Sequence, residues 1–129
     1  MKNIFLCLLF VMISGFAFSQ SVDSVAFKFN EEKFDFGDIT QGAKVEHIFK
    51  FTNTGIKPLV ISNIITSCGC TAPTWPHTPI PSKGEGEIKI DFNSTGKMGK
   101  QNKVITIMSN AVGNPNHLVI TANVLPPKN

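Results

Sequence analysis

Cys68 and Cys70 stand one glycine apart in Thr66-Ser67-Cys68-Gly69-Cys70-Thr71, and the next ten residues bring Pro73, Trp75, Pro76, His77 and Pro79. Two thiols at that spacing suit three chemistries. On an extended strand they would share one face with Cα atoms roughly 6.6 Å apart, near the upper limit for a disulfide. Bonding them requires a turn, which Gly69 permits. A ring closed across one residue is strained and so easily reduced, which would suit a redox pair. Left unbonded, the sulfurs are soft ligands for copper(I), with zinc the second choice. His77 and a thioether from Met98 or Met108 are the residues that could complete such a set, although the count falls one ligand short of a structural zinc site.

Trp75, Pro76 and His77 form a second candidate site. Prolines hold the backbone extended, and a large aromatic presented on a stiff loop is a common anchor for a protein partner. The alternative for Trp75 is to cap one end of a hydrophobic core. His47, in Val45-Glu46-His47-Ile48-Phe49, has inward parity beside Phe49 and is expected to be partly buried and hydrogen-bonded. A Cys-His nucleophile pair would arise only if its strand ended beside the cysteine loop. No His-Glu-x-x-His, Gly-x-Ser-x-Gly or phosphate-loop motif is present, and no pair of acids suggests a cleft. No catalytic residue is assigned, and the expectation is a protein that is not an enzyme and needs no cofactor.

The elements that position these residues read as strands. Residues 25–29 alternate Val25, Phe27 and Phe29 on one face, and Phe34-Asp35-Phe36 repeats the alternation until Gly37 breaks it. Val45, His47, Phe49 and Phe51 alternate with Glu46, Lys50 and Thr52, and Ile88, Ile90 and Phe92 alternate with lysine and acid. Period two with aromatic and β-branched residues marks a half-buried strand. Residues 59–66, 104–108 and 117–124 complete about seven strands. Asn53-Thr54-Gly55, residues 93–100 and residues 110–116 supply the turns, and Gly55 can take positive φ at little cost. With no segment of helical period, the expected fold is all-β, an immunoglobulin-like antiparallel β-sandwich with Greek-key connections. Residues 67–84 form an unusually long connection, and long connections in compact domains are commonly functional.

Lys2, the apolar run of residues 4–13 and Ala17-Phe18-Ser19 have the three-part pattern of a secretory signal peptide. The expected organisation is a signal peptide over residues 1–19, a loose lead over 20–24, one sandwich domain over 25–125 and a tail over 126–129. Cys7 falls in the discarded peptide. After its removal no transmembrane span is expected, and the location is secreted or periplasmic, where disulfides persist. The net charge is only +3, and the chain has no arginine to read guanine edges or clamp phosphates. Nucleic acid is therefore not an expected partner, which leaves an unidentified protein or another envelope component.

Several landmarks together resemble the bacterial family called domain of unknown function 1573. They are Phe34-Asp35-Phe36-Gly37-Asp38-Ile39, Gly42, His47 with Phe49 and Phe51, Asn53-Thr54-Gly55, Pro58-Leu59, Ser67-Cys68-Gly69-Cys70-Thr71, Pro79-Ile80-Pro81, Gly84, Gly99 and Ser109-Asn110. The resemblance spans about residues 33–124, and Cys-Gly-Cys after an apolar strand is its most specific part. It departs where members often carry Pro-Gly and this chain has Pro81-Ser82-Lys83-Gly84. The resemblance implies an exported immunoglobulin-like domain and leaves activity open.

Overall fold

The computed structural model describes residues 24–128. The expected signal peptide, Cys7 and residues 20–23 lie outside them. Eight strands follow in order: β1 (Phe27–Phe29), β2 (Lys33–Thr40), β3 (Lys44–Asn53), β4 (Ile61–Thr66), β5 (Thr71–Thr74), β6 (Glu85–Asn93), β7 (Gly99–Ser109) and β8 (Asn116–Leu125). They form two four-stranded sheets, ordered β1-β3-β6-β5 and β2-β8-β7-β4. No helix among the described residues is long and apolar enough to cross a membrane.

The alternation of residue types accounts for the sandwich. β3 and β6 pair in register from Lys44↔Asn93 to Thr52↔Glu85, so Phe49, Phe51, Ile88, Ile90 and Phe92 share one face and are fully buried. Ile105, Ile107, Leu118, Ile120 and Val124 supply the opposing face from β7 and β8. Leu59 and Ile80, joined by an isolated antiparallel bridge, enter the same core. Burying each such side chain contributes on the order of 1.5–3 kcal/mol, and the hydrophobic core is what holds the two sheets face to face.

The structure differs from the sequence expectations in four places. The connection expected over residues 67–84 contains β5, an edge strand paired with β6 from Thr71↔Phe92 to Thr74↔Lys89. β7 begins at Gly99, within the stretch expected to be a turn, because its polar first residues extend the ladder with β8 as far as Val124. β2 continues through Gly37, where φ is +73° and the register against β8 shifts between Asp35 and Asp38. The Asp35 carboxylate accepts from the Gly37 N–H at 2.9 Å. That bond first, then one from Thr121, holds the Asp35 carboxyl below its usual range. Finally, β2 pairs with β8 in parallel, whereas the other ladders among the described residues are antiparallel.

Asn53 ties the long connection to this frame. It is fully buried at the end of β3. Its side-chain amide donates to the carbonyls of Lys57 (2.8 Å) and Ile80 (2.9 Å), and its side-chain oxygen accepts from the Gly55 N–H at 3.0 Å. Its backbone N–H donates to Gly84, and its carbonyl accepts from Lys83. Gly55 lies outside the positive-φ region and owes its identity to crowding. A Cβ there would lie 2.7 Å from the Ala26 nitrogen and 3.1 Å from the Val25 Cα. Replacing Asn53 by Ala removes three hydrogen bonds, each worth roughly 0.5–1.5 kcal/mol, although the Ile80 carbonyl keeps the Leu59 N–H and the Gly55 N–H keeps the Ala26 carbonyl. Asn53→Ala is therefore expected to lower unfolding free energy by about 3 kcal/mol in urea titration, and a loss under about 1 kcal/mol would contradict this role.

Candidate functional site

β4 ends one sheet's edge at Thr66 and β5 begins the other's at Thr71, so residues 67–70 are where the chain crosses between sheets. Hydrogen bonds hold this corner to both. The Ser67 N–H donates to the Val104 carbonyl at 3.1 Å and the Val104 N–H to the Ser67 hydroxyl at 3.2 Å. On the other side, the Asn93 N–H of β6 donates to the Cys70 carbonyl at 2.9 Å. The Thr66 hydroxyl spans the turn, lying 2.9 Å from the carbonyl of Cys68 and 3.1 Å from that of Thr71.

In this turn Cys68 and Cys70 are joined as a disulfide with Cα atoms 5.3 Å apart, closer than an extended strand would leave them. Both are half-buried, whereas Gly69 between them is exposed. Gly69 is not at positive φ, and a Cβ there would meet nothing within 4 Å. The turn therefore does not depend on glycine's backbone freedom, and Gly69 stands exposed at the corner without a side chain. Thr71, buried, places its Oγ1 3.7 Å from the Cys68 sulfur and 3.8 Å from that of Cys70.

Cys70 borders an open cleft of about 580 Å³ on the outer face of β3, β5 and β6, with Lys44, Glu46, Ala72, Lys89 and Asp91 among its lining. The Lys89 amino group lies 3.0 Å from Glu46 and 3.9 Å from Asp91. The hydrogen bond to Glu46, then the charges of Asp91 and Glu46, raises the Lys89 pKa above its ordinary value. The cleft thus presents both signs of charge beside a disulfide.

The other sequence-predicted residues lie elsewhere. β5 carries the chain away from the cysteines by four strand residues, about 13 Å at ~3.3 Å per residue. Trp75 follows and packs partly buried against the core, its ring 4.9 Å from that of exposed His77. Met98 is 53% exposed in the turn before β7. Neither His77 nor Met98 lines the cleft that Cys70 borders. Among the described residues no group of three or more His, Cys, Asp and Glu side chains is arranged to hold a metal ion. His47 faces inward, stacked on Phe34 at 3.6 Å between ring centroids and hydrogen-bonded to the Glu31 carboxylate. It makes no pair with either cysteine.

Sequence reasoning missed Thr71 and Asn53. Thr71 carried no signal beyond its adjacency to Cys70, and Asn53 registered only as a turn residue.

This arrangement defines an immunoglobulin-like β-sandwich with a disulfide at a sheet-crossing corner. Residues 27–124 match the family described as "Protein of unknown function (DUF1573)", and the chain belongs to that family. Among curated proteins there is no match. The fold is similar to that of a protein of unknown function from Porphyromonas gingivalis W83, at 16% identity and a TM-score of 0.69, covering 79% of this chain and 48% of that one. This chain therefore spans about half the length of that relative. It is also similar to the ASH/PapD-like domain 7 of human CEP192, at 8% identity and a TM-score of 0.67, covering 82% and 89%. A third likeness is to the secreted serine protease VesC from Vibrio cholerae, at 16% identity and a TM-score of 0.57, covering 80% of this chain and 23% of that one. At these identities the likenesses concern the fold alone.

Because Trp75 packs against the core, truncating it removes contacts the sandwich uses. Trp75→Ala is expected to cost about 2 kcal/mol by denaturant titration, below the ~3–5 kcal/mol of a fully buried aromatic. An unchanged midpoint would show that the ring is held out for a partner.

Proposed function

We propose that the protein is an exported, noncatalytic immunoglobulin-like module of the bacterial cell envelope. It recognises an envelope protein or other envelope component through the cysteine corner and the adjoining face of β3, β5 and β6. The observation that carries this reading is the open, mixed-charge cleft beside the Gly69-exposed corner, on the outer side of a sheet whose inner side is filled by core. Such a surface supports docking, since exposed polar clefts with both charge signs orient a partner more than they strengthen its binding. Trp75, Pro76 and His77 extend the same edge beyond β5. The signal-peptide pattern of residues 1–19 supports export.

A photo-crosslinking side chain at exposed Ala72 tests the surface in intact cells, with one at exposed Asn102 on the opposite sheet as the control. Discrete crosslinked products are expected from position 72 and not from 102, on a mature chain that begins at Gln20 in the envelope fraction. Identical products from both positions, or products from 102 alone, would refute the docking face, and an unprocessed chain retained in the cytoplasm would refute export.

A further inference from the structure

Beyond docking, we propose that the Cys68–Cys70 disulfide is a thiol-reactive acceptor that takes two electrons from a dithiol, with Cys70 the sulfur attacked and Cys68 the sulfur released. Gly69 and Cys70 line the open cleft whereas Cys68 does not, and Cys70 also packs partly against the core, so an incoming thiolate seated in the cleft approaches the disulfide from the Cys70 side. Gly69, in the same lining, is exposed and carries no side chain there. Closure across a single residue favours opening, because strained or exposed disulfides are the labile ones.

Thr71 gives the corner a feature that a passive cross-link does not need. Neither sulfur of a disulfide carries a hydrogen, so in the contacts at 3.7 and 3.8 Å only the Thr71 hydroxyl can donate, its single hydrogen serving one sulfur at a time. When the bond opens, that hydroxyl lies within reach of the released Cys68 sulfur and can turn to donate to the thiolate, a charge-assisted bond stronger than a neutral one. A leaving thiol of lower pKa leaves faster. The corner's backbone is tied separately, to Val104 on one sheet and Asn93 on the other, so opening the disulfide need not disperse the site.

The chemistry balances with the dithiol as the only reductant. Its first thiolate bonds to the Cys70 sulfur as the Cys70–Cys68 bond breaks, and the electron pair leaves on the Cys68 sulfur, which takes a proton from solvent. The donor's second thiolate then displaces the Cys70 sulfur. The donor departs as a disulfide, the displaced Cys70 thiolate takes a second proton from solvent so that both cysteines are thiols, and the two oxidising equivalents of the bond have been spent without turnover.

The test follows reduction of the oxidised mature chain by alkylation and intact mass, using dithiothreitol and a reduced peptide with two cysteines as donors. Thr71→Val is expected to slow reduction about tenfold, from the loss of one hydrogen bond to a charged group, and to raise the pH at which the released thiol is alkylated. Thr71→Ser should restore both. In the wild type, an acid quench during reaction with glutathione should place the mixed disulfide on Cys70, a readout that stands even if Thr71→Val does not fold. A peptide faster than dithiothreitol assigns the donor to a protein segment, and the reverse assigns it to a small dithiol. Equal rates for folded Thr71→Val and wild type, adducts chiefly on Cys68, or a disulfide inert to millimolar dithiothreitol would overturn the proposal.

Discussion

At the end of β3 the buried side chain of Asn53 bonds to backbone groups at residues 55, 57 and 80, and its own backbone bonds to residues 83 and 84. The excursion between those points carries β4, the cysteine corner and β5 out to the edges of both sheets and back. A buried amide that satisfies its donors and acceptor is strongly directional, and one left unmade is expensive. The position of the corner therefore follows from the frame before the two cysteines are considered. Leu59 and Ile80, bridged just beyond the amide, add apolar burial to the same tie.

The frame and the disulfide do different work. Core faces from β3, β6, β7 and β8 hold the sheets together, while a link two residues long constrains very little of the unfolded chain, since loop-closure stabilisation grows with loop length. A cross-link that adds little to stability, stands half-exposed beside a cleft and has a hydroxyl within 3.8 Å of both sulfurs is better suited to reaction than to stapling. The proposed docking face and the proposed thiol chemistry are compatible, because Cys70 is among the residues that line the cleft.

Alternation of aromatic and β-branched residues made β3, β6 and β8 legible in the sequence, and with them the sandwich and its inward faces, His47 included. Alternation is blind to strand direction, so the parallel pairing of β2 with β8 could not be read from it. β5 was hidden because Thr71-Ala72-Pro73-Thr74 is short and contains a proline, a residue tolerated at a sheet edge but not suggestive of strand. The first residues of β7 are glycine, lysine, glutamine and asparagine, whose place is set by the ladder with β8 and not by their own preference. The cysteine pair was legible from composition alone. Its setting was not, because the cleft arises from the pairing of β3, β6 and β5 within one sheet and the approach of the Thr71 hydroxyl to the sulfurs from the way the corner turns, neither of which residue alternation encodes.

Amide hydrogen exchange compared between the oxidised and fully reduced protein tests most directly whether the frame, and not the disulfide, holds the corner in place. Faster exchange confined to residues 66–74, with β3, β6, β7 and β8 as protected as before, is the result expected of a reactive bond carried on an independent scaffold. Loss of protection throughout both sheets on reduction would show that Cys68–Cys70 is a structural staple and would contradict the account.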